Sequence, residues 1–361
     1  MPESSLPLPS STAELYQPLP VPVVRAPRPR YWLHALLFLL TCFSTLIMGA
    51  RMQYNFAHDQ PALSFSDESI PFFPTNWVLT NPERILAGLP FAATLMLFFL
   101  AHEMGHYLYC RHYGIYATLP FFIPMPRTPI GTMGAVILIR SPIRSRTALF
   151  DIGIAGPIAG FLVAVTTLVI SLSWSKPMPA SLAAPDIEFG YPLIFHALHR
   201  LLSMTSPASM IAGLPLNRVL LHPVAIAAWV GMLATALNLL PGGQLDGGHI
   251  VFSISPQAHR FISRATILVL LTMAYFYWPG WIVWAILLQL SSLRHPHVAE
   301  WPRVTGSRAV LAVFALLMLV LTLSPAPLGR HALPEAGRDL FQFVHVLFQQ
   351  LRDWLHTLRV R

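Results

Sequence analysis

Long apolar runs alternate along this chain with short segments marked by proline, arginine and other polar residues. The runs 31–50, 85–109 and about 148–174 are each long enough to cross a bilayer as a helix. Residues 219–241 form another run. Residues 261–293 are apolar but broken at Pro279-Gly280, which predicts a short helical hairpin, and 308–323 read as a further span. The pattern predicts an all-α polytopic membrane protein with six to seven transmembrane helices. Two stretches depart from it. Residues 115–140 carry Pro120, Pro124, Pro126 and Pro129, which rule out a continuous helix, yet Leu119, Phe121–Ile123 and Val136–Ile139 are apolar. Within the outer loop 175–218, residues 191–204 place apolar side chains at helical spacing, as a helix lying along the membrane surface does.

Composition narrows the class. Of 361 residues, 55% are hydrophobic and only 11% charged, which excludes an ordinary soluble domain. The net charge of +8 comes from arginines scattered through the loops rather than gathered in a stripe, so it fits cytoplasmic loops and not a nucleic-acid footprint. Arg25, Arg28 and Arg30 put the N-terminus in the cytoplasm, and Arg111, Arg140, Arg144 and Arg146 mark that side again. The two cysteines, Cys42 and Cys110, lie in apolar segments and suggest neither a disulfide framework nor a Cys-rich metal site. Residues 1–30 read as a disordered, proline-rich cytoplasmic tail rather than a cleaved signal peptide. Residues 31–294 form the membrane-embedded domain. Residues 295–361 supply a further span and an amphipathic tail, with Leu340, Val344, Leu347, Leu351 and Leu355 at helical spacing.

The chemistry concentrates at His102-Glu103-Met104-Gly105-His106, inside the second apolar run. Residues four apart share a helix face, so His102 and His106 can offer nitrogens to one ion. Glu103, one step round, can reach a water on that ion and take its proton, the arrangement of zinc hydrolases. With 15 histidines in the chain a chance H-E-x-x-H is possible, but ionisable groups are costly inside an apolar span and point to function. A catalytic zinc needs three protein ligands and an open position. Asp246, in Asn238-Leu239-Leu240-Pro241-Gly242-Gly243-Gln244-Leu245-Asp246-Gly247-Gly248, is the best candidate for the third. Taken alone, the same Asp-Gly reads as a helix cap or a turn. Asn238 is predicted at similar depth, where its amide can serve a substrate backbone, a developing oxyanion or a neighbouring helix. Asp151 is read as an interfacial residue, and His196 and His199 as structural.

The two motifs in this order resemble the site-2 protease family of intramembrane zinc metalloproteases (peptidase family M50), which pairs H-E-x-x-H on one span with N-x-x-P-x-x-x-L-D-G on a later one. Gly153-Ile154-Ala155-Gly156-Pro157-Ile158-Ala159-Gly160 and Gly131-Thr132-Met133-Gly134-Ala135 look like further family segments, so the resemblance covers roughly 85–248, taken as the catalytic core. It implies one Zn²⁺ per chain on His102, His106 and Asp246, with Glu103 as base and Asn238 holding substrate. It also implies a re-entrant β-hairpin within 115–140, whose free edge can pair with an unwound substrate strand. The implied partners are the lipid bilayer and a transmembrane protein substrate, such as a membrane-anchored regulator, an anti-sigma factor or a signal-peptide remnant. A bacterial plasma membrane is the expected location, with the site toward the cytoplasm. The loop 175–218 is too short for a PDZ domain and the residues after 294 leave no room for paired CBS modules, so a compact form is expected.

Three other functions stay in view. A different membrane zinc protease is expected to take a downstream glutamate as third ligand. A metal transporter needs a continuous polar path, and few intramembrane charges lie outside the two motifs; no internal repeat suggests symmetric halves. An inactive scaffold has no need of Glu103.

Overall fold

A computed structural model describes residues 30–65, 67, 69–143, 145–180, 188–292 and 306–329. The expected tails, up to residue 29 and over 337–361, lie outside the described residues. The first helix, α1, spans Tyr31–Ala57. It runs past the end of the apolar run at 50, and Arg51 is a buried helical side chain. Its guanidinium donates to the carbonyls of Ile70 (3.2 Å) and Pro71 (2.5 Å) and so ties down the following loop.

After a short helix α2 (Thr75–Leu79) comes α3, Pro82–His112, which carries the H-E-x-x-H residues. Its ends are well specified. The Asn81 side chain accepts from the Glu83 N–H, Pro82 opens the first turn, Glu83 sits at the positive end of the helix dipole, and Arg111 and His112 sit at the negative end. A β-hairpin follows, β1 (Phe121–Pro124) pairing antiparallel with β2 (Thr132–Val136), with a bulge between Phe122 and Pro124. The prolines that forbid a helix here are tolerated in a two-stranded ribbon. The hairpin rests on α1: His34 Nδ1 lies 3.1 Å from the Pro120 carbonyl and Ser44 Oγ donates to the Gly131 carbonyl at 2.6 Å.

The helix α4 covers Arg146–Leu172 and α5 covers Leu193–Thr205. Strands β3 (Lys176–Pro177) and β4 (Val219–Leu220) pair briefly, and α6 follows over Pro223–Asn238. Then come α7 (Asp246–Ile254), α8 (Pro256–Phe276), α9 (Trp281–Ser292) and α10 (Ser307–Thr322). The break at Pro279-Gly280 makes α8 and α9 a packed hairpin closed over buried Trp281. By length and composition α1, α3 and α4 are long and apolar enough to cross a membrane, while α6, α9 and α10 are shorter apolar helices.

α3 packs against α1, α4 and α6. Its buried Phe91, Leu95, Phe98 and Phe99 meet Leu168 of α4 and Ala225, Ala228 and Met232 of α6. Lipid is as apolar as these side chains, so the gain comes from close packing rather than from escape from water. Small residues permit it. A Cβ on Gly105 would lie 2.6 Å from the Ala155 carbonyl oxygen, so α3 and α4 meet backbone to backbone beside the histidines. Far from that point, His199 of α5 is buried with Nε2 3.1 Å from the Ile211 carbonyl, a structural role as the sequence suggests.

Candidate metal centre

The α-helical repeat puts His102 and His106 on the same face of α3, and that face turns toward α4 and α7. Asp246 arrives from another direction, as the first residue of α7 after the loop 239–245. That loop is pinned from behind by α8. His259 Nε2 lies 3.0 Å from the Gly243 carbonyl, and the Gly243 N–H donates to Ser263 Oγ at 3.2 Å. The glycine after the aspartate is sterically required, since a Cβ on Gly247 would lie 2.1 Å from the Leu239 carbonyl oxygen. Asp246 therefore does open a helix, as its Asp-Gly sequence suggests on its own. It also meets the histidines.

The three donor atoms form a nearly regular triangle. His102 Nε2 and His106 Nε2 are 3.2 Å apart, and Asp246 Oδ2 is 3.4 Å from the first and 3.3 Å from the second. A tetrahedral zinc with bonds of about 2.0–2.1 Å has ligand edges of about 3.3 Å. The chemistry of the donors agrees with the spacing. His106 Nδ1 lies 2.7 Å from the Ile152 carbonyl, which only accepts, so Nδ1 carries the proton and Nε2 presents its lone pair. A single proton satisfies one edge of such a triangle; a cation satisfies all three. Both imidazoles are buried, and the Asp246 side chain keeps 16% of its surface exposed. Among the described residues no other group of three His, Cys, Asp or Glu converges in this way.

Glu103 is buried beside these ligands, and the backbone N–H of Ile137, just after β2, approaches its carboxylate. The hairpin therefore reaches the centre. Asn238, the last residue of α6, brings its amide nitrogen to 3.1 Å from His102 Nε2. All five residues singled out in the sequence gather at one place.

Other contributors were not legible as such. The Ile152 carbonyl orients His106, and a backbone atom leaves no mark in a motif. Gly156 and Gly160 of α4 do more than general helix packing. A Cβ on Gly156 would lie 2.1 Å from His106 Nε2, and one on Gly160 would lie 3.2 Å from His102 Nδ1. The small residues four apart in α4 are the cradle of the two imidazoles four apart in α3. Asp151 is not at the centre; it pairs with Arg308.

The sequence model of Peptidase family M50 matches residues 90–278, more than half of the chain and all five of these residues. The chain is 29% identical over 299 residues to Probable zinc metalloprotease EGY1, chloroplastic, of Arabidopsis thaliana, covering 82% of this chain and 53% of that protein. The rice protein of the same name (Oryza sativa subsp. japonica) is 29% identical over 82% of this chain and 50% of its own length. Probable zinc metalloprotease EGY2, chloroplastic, of Arabidopsis thaliana is 30% identical over 68% of this chain and 43% of its own length. The chain thus spans about half the length of the curated relatives it matches. The matched segment runs from α3 through α8 and contains the whole donor triangle, so this chain belongs to peptidase family M50.

Proposed function

We propose that the chain is a zinc-dependent intramembrane endopeptidase that hydrolyses a peptide bond in or near a transmembrane segment of a substrate protein. The observation that carries this reading is the buried triangle of His102, His106 and Asp246 with Glu103 beside it on an apolar helix. These three residues would hold one zinc per chain. Zinc bound there supplies Lewis acidity that makes water a competent nucleophile near neutral pH. Glu103 takes the proton of the attacking water and passes it to the leaving amine. Asn238 turns its amide toward the same point. Once His102 gives its lone pair to a metal, that amide N–H is free to hold a substrate carbonyl or a developing oxyanion.

A helical substrate hides its carbonyls in its own hydrogen bonds and must unwind to be cut. The ribbon of β1 and β2 has two strands among the described residues, so no further strand pairs with the outer edge of either. An extended substrate segment adding to such an edge is held next to Glu103. We place the hairpin as re-entrant, within a bundle of six to seven spans, with the centre toward the arginine-rich cytoplasmic side. The proposed setting is a bacterial plasma membrane; the names of the relatives place those proteins in the chloroplast. Substrates of the class of membrane-anchored regulators or signal-peptide remnants fit such a site.

Cleavage of a model transmembrane substrate by purified protein tests the proposal. Wild type cuts it, a zinc chelator stops the reaction, and Glu103→Gln is slower by roughly 10²–10⁴-fold with its zinc retained. Full activity in Glu103→Gln would remove the general base from the account.

A further inference from the structure

Asp151 lies in the first turns of α4 and is buried. Its carboxylate accepts from three donors on two other elements. Arg308 of α10 forks onto it, Nε to Oδ1 at 2.8 Å and an Nη to Oδ2 at 2.7 Å, and Tyr113 Oη donates to Oδ2 at 2.5 Å. Tyr113 is the C-cap of α3, directly after His112. One carboxylate thus joins the end of the histidine-bearing helix, the start of α4 and the start of α10. The next residue in the chain is Ile152, whose carbonyl holds the His106 ring by Nδ1. Arg308 lies outside the residues matched by the family.

The rest of α10 follows the same direction. Its buried Ala315 and Met318 pack with Phe150 and Ile154, which flank Ile152 on α4, and with Leu239 and Ile250, which flank the Asp246 loop and helix. The bidentate guanidinium–carboxylate pair adds what packing alone lacks, a fixed direction. The pair is part-buried, the Asp151 carboxylate well covered and the Arg308 side chain about a third exposed, so losing Arg308 strips a largely buried carboxylate of two of its three donors.

We propose that Arg308, acting through Asp151 and Tyr113, is a positioning residue that fixes the Ile152 carbonyl and so holds the His106 imidazole on the metal. This rests on the reading of His106 as a zinc ligand. An outer contact that orients a ligand imidazole typically contributes 10–100-fold in metal affinity.

The test is metal binding by the purified full chain, with Co²⁺ as a spectroscopic probe and a competing chelator to measure Zn²⁺ affinity. Arg308→Ala and Tyr113→Phe are compared with wild type, with thermal melting followed in parallel. Arg308→Ala is expected to weaken zinc binding at least about tenfold and to shift the visible cobalt bands. Tyr113→Phe, which removes one hydroxyl and leaves the helix end intact, is expected to change both in the same direction by less. Arg308→Lys keeps the charge without the fork and is expected to fall between Arg308→Ala and wild type. If Arg308→Ala melts earlier yet keeps wild-type affinity and cobalt bands, the ion pair merely braces the helices and the proposal is wrong. Should Arg308→Ala not fold, Tyr113→Phe decides: unchanged affinity and bands overturn the proposal. Folded wild type that binds neither metal overturns the ligand reading itself, a failure distinct from a metal-loaded wild type indifferent to Arg308.

Discussion

Gly156 faces His106 so closely that a single added carbon would stand 2.1 Å from the ring nitrogen aimed at the centre. The distance is well inside van der Waals contact, and the ring cannot retreat without losing its 2.7 Å hydrogen bond to Ile152. Gly156→Ala is therefore expected to lower zinc affinity by about a hundredfold or more, the upper range for disturbing a ligand's support. Gly160→Ala meets His102 at 3.2 Å and Phe98 at 2.9 Å, both side chains with some room to adjust, and is expected to cost less. Chelator competition on the two variants checks the order. Equal, wild-type affinities would mean that the α4 glycines serve packing alone.

Asn238 separates substrate handling from metal handling. Its amide touches His102 without replacing any of the three donors. Asn238→Ala is expected to keep its zinc and lose roughly 10²–10³-fold in kcat/KM, the range for removing one donor to a developing negative charge. Zinc content measured beside steady-state cleavage checks this. A variant with intact turnover and a lower melting temperature would make Asn238 a structural contact between helices.

Removing the metal should also loosen the fold. The ligands come from α3 and α7, two elements that meet at this point, so an ion binding only the folded chain stabilises it by mass action. At free zinc a thousand times its Kd that amounts to about 4 kcal/mol. A chelator is expected to lower the melting temperature of wild type by several degrees and to leave an already metal-free His106→Ala variant unchanged. Equal shifts in both would point to an effect of the chelator elsewhere.

The legibility of this site in the sequence has a physical pattern. The spacing of His102 and His106 is a local property of a helix, and apolar run length is a local property of a span, so α3 was readable with its ends nearly correct. The prolines of 115–140 excluded a helix and left room for the ribbon found there. Asp246 was readable only through its partner motif, because Asp-Gly at a helix start has an ordinary local explanation, which the structure shows to hold as well. α1 continues past the apolar run that ends at 50, because the fold buries Arg51 against the carbonyls of the next loop. The Asp151–Arg308 pair joins residues 157 apart, and the Ile152 carbonyl acts through its backbone; no local pattern announces either. Gly156 and Gly160 were visible as small residues, but what they make room for depends on the register of α4 against α3.

The most direct test of the central claim is zinc per chain in the purified, folded protein, compared among wild type, Glu103→Gln and Asp246→Ala. The triangle of donors predicts about one zinc in wild type and in Glu103→Gln, and a small fraction of that in Asp246→Ala, where one of three ligands is gone. Full zinc in Asp246→Ala, or none in folded wild type, would contradict it.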